Sequence, residues 1–194
     1  MSTKGKIKVE VENIFPLIKK FLYSDHEIFL RELISNATDA TLKLKHLTST
    51  GKASVEYGSP IIEVRVDKEA KKLHIIDQGI GMTAEEVEKY INQVAFSGAE
   101  EFLNKYKDSK DSGIIGHFGL GFYSAFMVAD QVEIITKSYT DAPAAHWVCD
   151  GSPEYSLDTA DKKDRGTEII LHINSESEEF LEDSRILELL NKYN

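Results

Sequence analysis

One cysteine, no long apolar run and no excess of positive charge set the first limits on this 194-residue chain. A single thiol, Cys149, cannot build a disulfide framework or a multi-cysteine zinc site, so reducing surroundings and a buried apolar role are expected for it. Nowhere do roughly 18 apolar residues run together, and residues 1–9 alternate lysine with small side chains around no signal core. No membrane contact is therefore expected, and the chain reads as a soluble cytoplasmic protein. The formal net charge is −10, and every lysine-bearing segment carries interspersed acids. A phosphate backbone demands a basic patch, so no nucleic-acid partner is expected. Walker A is missing as well, since no Gly-Lys-Ser/Thr occurs.

What is present suffices for a core: 41% of the residues are hydrophobic, enough for one globular domain or one domain with an appendage. The stretch that organises it is Lys72-Leu-His-Ile-Ile-Asp-Gln-Gly-Ile-Gly-Met82. Leu73, Ile75 and Ile76 have strand composition, and Gly79 and Gly81 let backbone approach a flat ligand closely. Asp77 then stands at a strand end. Ionised, it only accepts hydrogen bonds, which suits the amino group of adenine and repels the carbonyl of guanine. The same residues also serve in an ordinary turn. Thr83-Ala-Glu-Glu86 fits a capping box that opens a helix.

Upstream, 6–12 alternates as a short strand and 13–23 has helical spacing. Ser24-Asp-His-Glu27 is a second capping-box candidate for a long helix over 25–47, with Phe29, Leu33, Ala37, Ala40 and Leu44 along one stripe. Glu32, Asn36 and Asp39 follow at i, i+4 and i+7, so their side chains project together. A solvated face has that pattern too. An Asn carbonyl beside a carboxylate could also serve a hard Mg²⁺ ion with retained waters, while Glu32 holds an attacking water.

Residues 48–60 read as a loop, 61–67 and 72–77 as an antiparallel hairpin, and 97–113 as a mobile segment. Gly113, Gly116, Gly119 and Gly121 precede an apolar helix, where bare amides and the helix dipole favour phosphate; a plain hinge fits equally. Strands are expected over 131–137, 144–150 and 165–173, with a polar connection over 151–164. Thr167, at the start of the last strand, could bring a hydroxyl beside Asp77, although threonine is common in strands. Residues 175–193 read as one acidic amphipathic helix, broken off as if cut from a longer chain.

The order of these signals is more specific than any one of them. Glu32 and Asn36 on a helix, Asp77-x-Gly-x-Gly81, Gly116-x-x-Gly-x-Gly121 and Gly166-Thr167 resemble the sequence boxes of the ATPase superfamily of gyrase, heat-shock protein 90, histidine kinases and MutL. Tyr23-Ser-Asp-His-Glu-Ile-Phe-Leu-Arg-Glu-Leu-Ile-Ser-Asn-Ala-Thr-Asp-Ala40 and Ile115-Gly-His-Phe-Gly-Leu-Gly-Phe-Tyr-Ser124 resemble the heat-shock protein 90 chaperones, the bacterial branch most of all. The resemblance covers the whole chain, 1–194, as an N-terminal nucleotide-binding domain, with the middle and C-terminal dimerisation domains absent.

It implies an α+β fold, a two-layer sandwich whose mostly antiparallel sheet is covered on one face by helices. It also implies slow ATPase activity with ATP or ADP and Mg²⁺, in a stress-response chaperone. Glu32 is then the general base and Asn36 the Mg²⁺ ligand. Asp77 takes the adenine amine with Thr167 in support, and Gly81 and Met82 line the base. Asp39 lies near sugar or base, Asn92 near ribose and phosphates, and Gly119, Gly121 and Phe122 face the phosphates under a lid formed by about 93–121. Unfolded or partly folded client proteins and a homodimer of the longer protein are the implied partners. The alternative is a binding module that nucleotide switches without significant hydrolysis. Two departures stand out: Ser97-Gly-Ala-Glu100 lacks the lysine of the family's Ser-Gly-Thr-Lys, and Gly116-His-Phe-Gly119 replaces Gly-Gln-Phe-Gly.

Overall fold

Strands and helices are laid out here by a computed structural model that describes residues 2–6, 26–93, 121–152 and 154–193. Among these residues seven strands pair antiparallel in the order β1-β6-β5-β4-β7-β3-β2. They are β1 (Thr3–Lys6), β2 (Glu63–Asp67), β3 (Lys72–Asp77), β4 (Ala129–Lys137), β5 (Ala145–Cys149), β6 (Glu154–Thr159) and β7 (Gly166–Ile173). Period-two alternation divides the sheet into two faces. Leu73 and Ile75 of β3, Val132 and Ile134 of β4, Trp147 of β5, Leu157 of β6 and Leu171 of β7 are buried together, and Cys149 joins them. On the other face, half-exposed polar groups are stitched across strands. The Glu133 carboxylate accepts from His146 Nε2 at 2.8 Å and His172 Nε2 at 2.6 Å, and Glu168 accepts from His74 Nδ1 at 2.8 Å.

The apolar face is covered by α1 (Ile28–Ser49), the 3₁₀ helix Gly121–Met127, the 3₁₀ helix Ser175–Leu181 and α3 (Asp183–Tyr193). Phe29, Leu33 and Leu44, from the predicted stripe of α1, are wholly buried, each contributing roughly 1.5–3 kcal/mol of burial. The short helix α2 (Ala84–Val87) begins on the expected capping box: Thr83 Oγ1 accepts from Glu86 N at 3.2 Å, and Glu86 Oε2 accepts from Thr83 N at 3.3 Å. It runs on as the π-helix Glu88–Gln93.

Several expectations are corrected. A strand not expected from the sequence, Thr3–Lys6, precedes the expected 6–12 and pairs with the edge of β6. That partner lies inside the stretch expected to be a polar connection, where Tyr155 and Leu157 alternate with polar residues in strand fashion. The segment before α2 is shorter than a 61–67 strand, starting at Glu63. The apolar helix expected after Gly121 is present as the 3₁₀ helix Gly121–Met127. Residues 175–193 form two helices, because Glu182 is extended between them. The expected elements over 7–25, the mobile segment at 97–113, and the glycines at 113, 116 and 119 lie outside the described residues.

Ser24 and Asp25 of the capping-box candidate lie outside the described residues. Glu27 sits in helical geometry at the N-cap of α1 and makes no side-chain cap. Its carboxylate is taken by α3: the Arg185 guanidinium, Lys192 Nζ at 2.9 Å and the Tyr193 hydroxyl at 3.3 Å all donate to it. Arg185 also pairs with Glu179 at 2.9 Å and Glu188 at 3.2 Å, and lies 5.7 Å from the centroid of Phe180, whose ring meets Phe29 edge-on at 4.9 Å. The bonds from Lys192 and Arg185 hold the Glu27 carboxyl down to about 2.

A carboxyl depressed by folding adds stability above its unfolded pKa and loses it as pH falls through the folded one. Glu27→Gln is therefore expected to cost about 1 kcal/mol at pH 7, after allowance for solvent screening, with the gap from wild type closing as pH drops from about 4.5 toward 2. Urea unfolding at stepped pH reads both.

Candidate nucleotide site

Three strand ends meet at one edge of the apolar face, and each contributes a buried polar residue. Asp77 ends β3, Thr167 opens β7 opposite it, and Thr136 on β4 stands opposite Thr167 on the other side. The row is continuous across the sheet. Thr136 Oγ1 lies 2.8 Å from Thr167 Oγ1 and accepts the Met82 N–H at 2.9 Å. Asp77 is 6% exposed, and its Oδ1 accepts the Gly79 N–H at 2.9 Å. Burial pushes the Asp77 carboxyl up to about 6, against the opposing pull of the Gly79 and Thr167 amides. Among the described residues no side-chain cation bonds to it, so the two amides answer the charge, with a smaller through-space pull from Lys162.

The loop after Asp77 is pinned from two sides. Ile80 donates from its N–H to Ala40 O of α1 at 3.2 Å, and Ile80 O accepts the Tyr139 N–H, beyond β4, at 2.8 Å. Gly81 takes a φ of +62°, and a Cβ on it would lie 1.9 Å from Lys137 O. No other residue fits that approach. The tethers at Ala40 bring the middle of α1 beside the loop, and Asp39, exposed, lines a groove of about 450 Å³ with Leu42, Lys43, His46, Leu47 and Ile80.

A second group forms where α1 meets the turn Gly121–Met127. Glu32 is 12% exposed at its side chain and lies so close to Gly121 that a Cβ there would sit 2.6 Å from Glu32 Oε2. The other oxygen, Oε1, accepts from Arg31 Nη2 at 3.1 Å. Asn36 is exposed one turn further along α1. Phe122 points into the core, edge-on to Trp147 at 5.7 Å and to Tyr123 at 5.4 Å, so only its backbone remains for the site. Asn92 lies on the π-helix, while its side chain and all of Gly119 fall outside the described residues.

Of the residues singled out in the sequence, hydrogen bonds gather Asp77, Thr167 and Met82, and contact joins Glu32 to Gly121. Thr136 and Arg31 were missed. Thr136 had a readable signal: it is the polar member of an inward-facing set with Val132 and Ile134. Arg31 had none, since nothing along the chain shows which neighbour a surface arginine takes.

The residues fit a purine nucleotide. A buried, acceptor-only carboxylate matches an exocyclic amine, and Gly79 and Gly81 let the loop beside it pack against Ala40 and Lys137. Among the described residues no three His, Cys, Asp or Glu side chains gather to hold a metal. An exposed Asn36 near a carboxylate instead fits Mg²⁺, which keeps waters and leans on substrate phosphates. Residues 23–176 match the family described as histidine kinase-, DNA gyrase B- and HSP90-like ATPase. The chain belongs to that family.

Within this ATPase family the similarity runs to bacterial chaperones. The chain is 62% identical over all 194 residues to the chaperone protein HtpG of Porphyromonas gingivalis W83, and 63% identical over 191 residues to that of Bacteroides thetaiotaomicron. Against the HtpG of Nitratidesulfovibrio vulgaris it is 43% identical over 196 aligned residues, 96% of the chain. It spans 28% of the first two relatives' length and 31% of the third's. The antiparallel sheet with helices on one face is the expected α+β sandwich of the family. Among the described residues no helix is long and apolar enough to cross a membrane.

The raised Asp77 carboxyl has a consequence for stability. A folded pKa near 6, above the unfolded value of 3.8, means the ionised form burdens the fold, with the burden growing as pH rises from about 4 to 6 and full above it. Asp77→Asn is expected to raise the stability of the nucleotide-free protein by about 2 kcal/mol at pH 7, and hardly at all at pH 4. Denaturant titrations of both proteins at the two pH values measure the difference; a variant less stable at pH 7 would contradict the burden.

Proposed function

We propose that this chain is the nucleotide-binding domain of a longer HSP90-type chaperone, binding ATP with Mg²⁺ and hydrolysing it slowly. The observation that supports it is the buried Asp77 carboxylate, held by amides and left with an acceptor lone pair. The fold carries that cost without return unless a ligand amine meets it. Asp77 takes the adenine amino group, with Thr167 and Thr136 fixing the floor and Gly81 and Met82 against the base. By family resemblance Asp39 is assigned to the sugar or base, Asn92 to the ribose and phosphates, and Gly119, Gly121 and the Phe122 backbone to the phosphates.

Glu32 acts as general base. With Oε1 held by Arg31, Oε2 is the oxygen left to take a proton from water, on the side where Gly121 keeps the space clear. Asn36 is the ligand for Mg²⁺, which when bound supplies charge neutralisation at the phosphate oxygens. In the longer protein, nucleotide turnover drives a clamp cycle of a homodimer on unfolded or partly folded clients in the cytoplasm. The HtpG relatives, named as chaperones, support this.

Calorimetric titration with ADP and Mg²⁺ tests the pocket. Wild type is expected to bind and Asp77→Asn to lose binding at least about a hundredfold, as a buried hydrogen bond to charge is removed. No binding to wild type would end the proposal. Glu32→Ala is expected to keep nucleotide affinity and lose hydrolysis; retained hydrolysis would overturn Glu32 as the base, whereas nucleotide binding without hydrolysis by wild type would return the chain to a nucleotide-switched binding module. Gly121→Ala is expected to leave folding intact, because only the flexible end of Glu32 must yield, and to slow turnover about tenfold or more. Phosphate release by the whole protein reads both variants.

A further inference from the structure

The side chain of Glu32 is reached from the far end of the described chain. Arg31, which binds Glu32 Oε1 at 3.1 Å, has its guanidinium carbon 5.6 Å from the ring centroid of Tyr193 on α3. A guanidinium over an aromatic face is attracted by the ring's negative quadrupole and also stacks on it. Arg31 is therefore held from two directions, by a carboxylate on its own helix and by a ring on another.

Tyr193 is itself placed with care. Its hydroxyl donates to Glu27 at 3.3 Å, Lys192 Nζ lies 5.2 Å from its ring centroid, and the Glu27 carboxylate also takes Lys192 and Arg185. The ring cannot swing away from Arg31 without disturbing a carboxylate that three donors share. Glu27 is one turn and one residue before Glu32 on the same helix, so the cluster ties α3 to the end of α1 that carries the base.

We propose that Tyr193 is a positioning residue for hydrolysis: its ring orients Arg31, and Arg31 in turn fixes the rotamer of Glu32 so that Oε2 stays on the Gly121 side. This rests on the role given to Glu32 above. The alternative for a paired carboxylate on a helix surface is free rotation about three χ angles, with the productive geometry visited only part of the time. A ring that immobilises the arginine removes that freedom without touching nucleotide. It therefore acts on turnover rather than on affinity.

The test is a set of variants in the whole protein. Tyr193→Leu keeps an apolar side chain but removes the ring, and Tyr193→Phe keeps the ring but removes the hydroxyl. The expected result is a kcat about three- to tenfold lower in Tyr193→Leu with the dissociation constant for ADP unchanged, and near wild-type turnover in Tyr193→Phe. In an Arg31→Met background, Tyr193→Leu is expected to change kcat no further, since the intermediary is gone. An NMR readout is independent of activity. The Arg31 guanidinium Hε resonance is expected upfield under the ring current in wild type and Tyr193→Phe, and at its ordinary position in Tyr193→Leu.

Equal turnover in Tyr193→Leu and wild type, a parallel loss of nucleotide affinity, or a further drop in the Arg31→Met background would overturn the proposal. So would a Phe variant as slow as the Leu variant, which would move the effect to the Glu27 bond. If Glu32→Ala turns over normally, the assignment of the base fails instead, and the two failures are told apart by that one control.

Discussion

A buried carboxylate to which no side-chain cation bonds among the described residues is the constraint on which the site depends. Asp77 sits where an apolar sheet face ends, and burial alone would drive its proton affinity far up; two backbone amides keep it within reach of ionisation at neutral pH. That balance needs strand ends in register, since Thr167 delivers its amide from β7 and Gly79 from the loop. It needs the loop folded tightly enough for Met82 to reach Thr136, which only glycine at position 81 permits. Sheet, loop and helix are thus arranged around one charge that the fold would be more stable without.

The molecule distributes its polar pairs by cost. On the outer sheet face, Glu133 with His146 and His172, and Glu168 with His74, keep side chains 15–33% exposed, and the two imidazoles beside Glu133 offset the burial of its carboxylate. At the junction of α1 and α3, Glu27 gathers three donors. Inside, the ionisable group of the Asp77 row is hydrogen-bonded by backbone amides, with no side-chain cation bonded to it among the described residues. A strong ion pair there would satisfy the carboxylate permanently and leave nothing for a ligand amine.

Much of this was legible along the chain. β3, with its boundaries, follows from alternation of Leu73 and Ile75 and the glycines beyond. The hairpin with β2 follows from the short turn between them, and the capping box at Thr83 from residue identity alone. These are local effects, decided within a few residues. What was misread is nonlocal. β6 looked polar because one of its faces is solvated and its pairing with β1 and β5 lies far off in sequence. The helices after β7 looked like one because amphipathic spacing passes through Glu182, whose extended backbone turns the chain.

For the site the division is the same. The sequence by itself determined which residues could do the chemistry: a lone acceptor at a strand end, a carboxylate and an amide one helical turn apart, and glycines where backbone must come close. Those are properties of side-chain chemistry and of 3.6- and 2-residue periods, and they travel with the chain. Only the tertiary structure decided that Thr136 joins Asp77, that Phe122 serves the core, and that Tyr193 holds Arg31 beside Glu32. Each of those is a contact between distant segments, fixed by register across the sheet or by the packing of α3 on α1, and no local preference of the residues concerned encodes it.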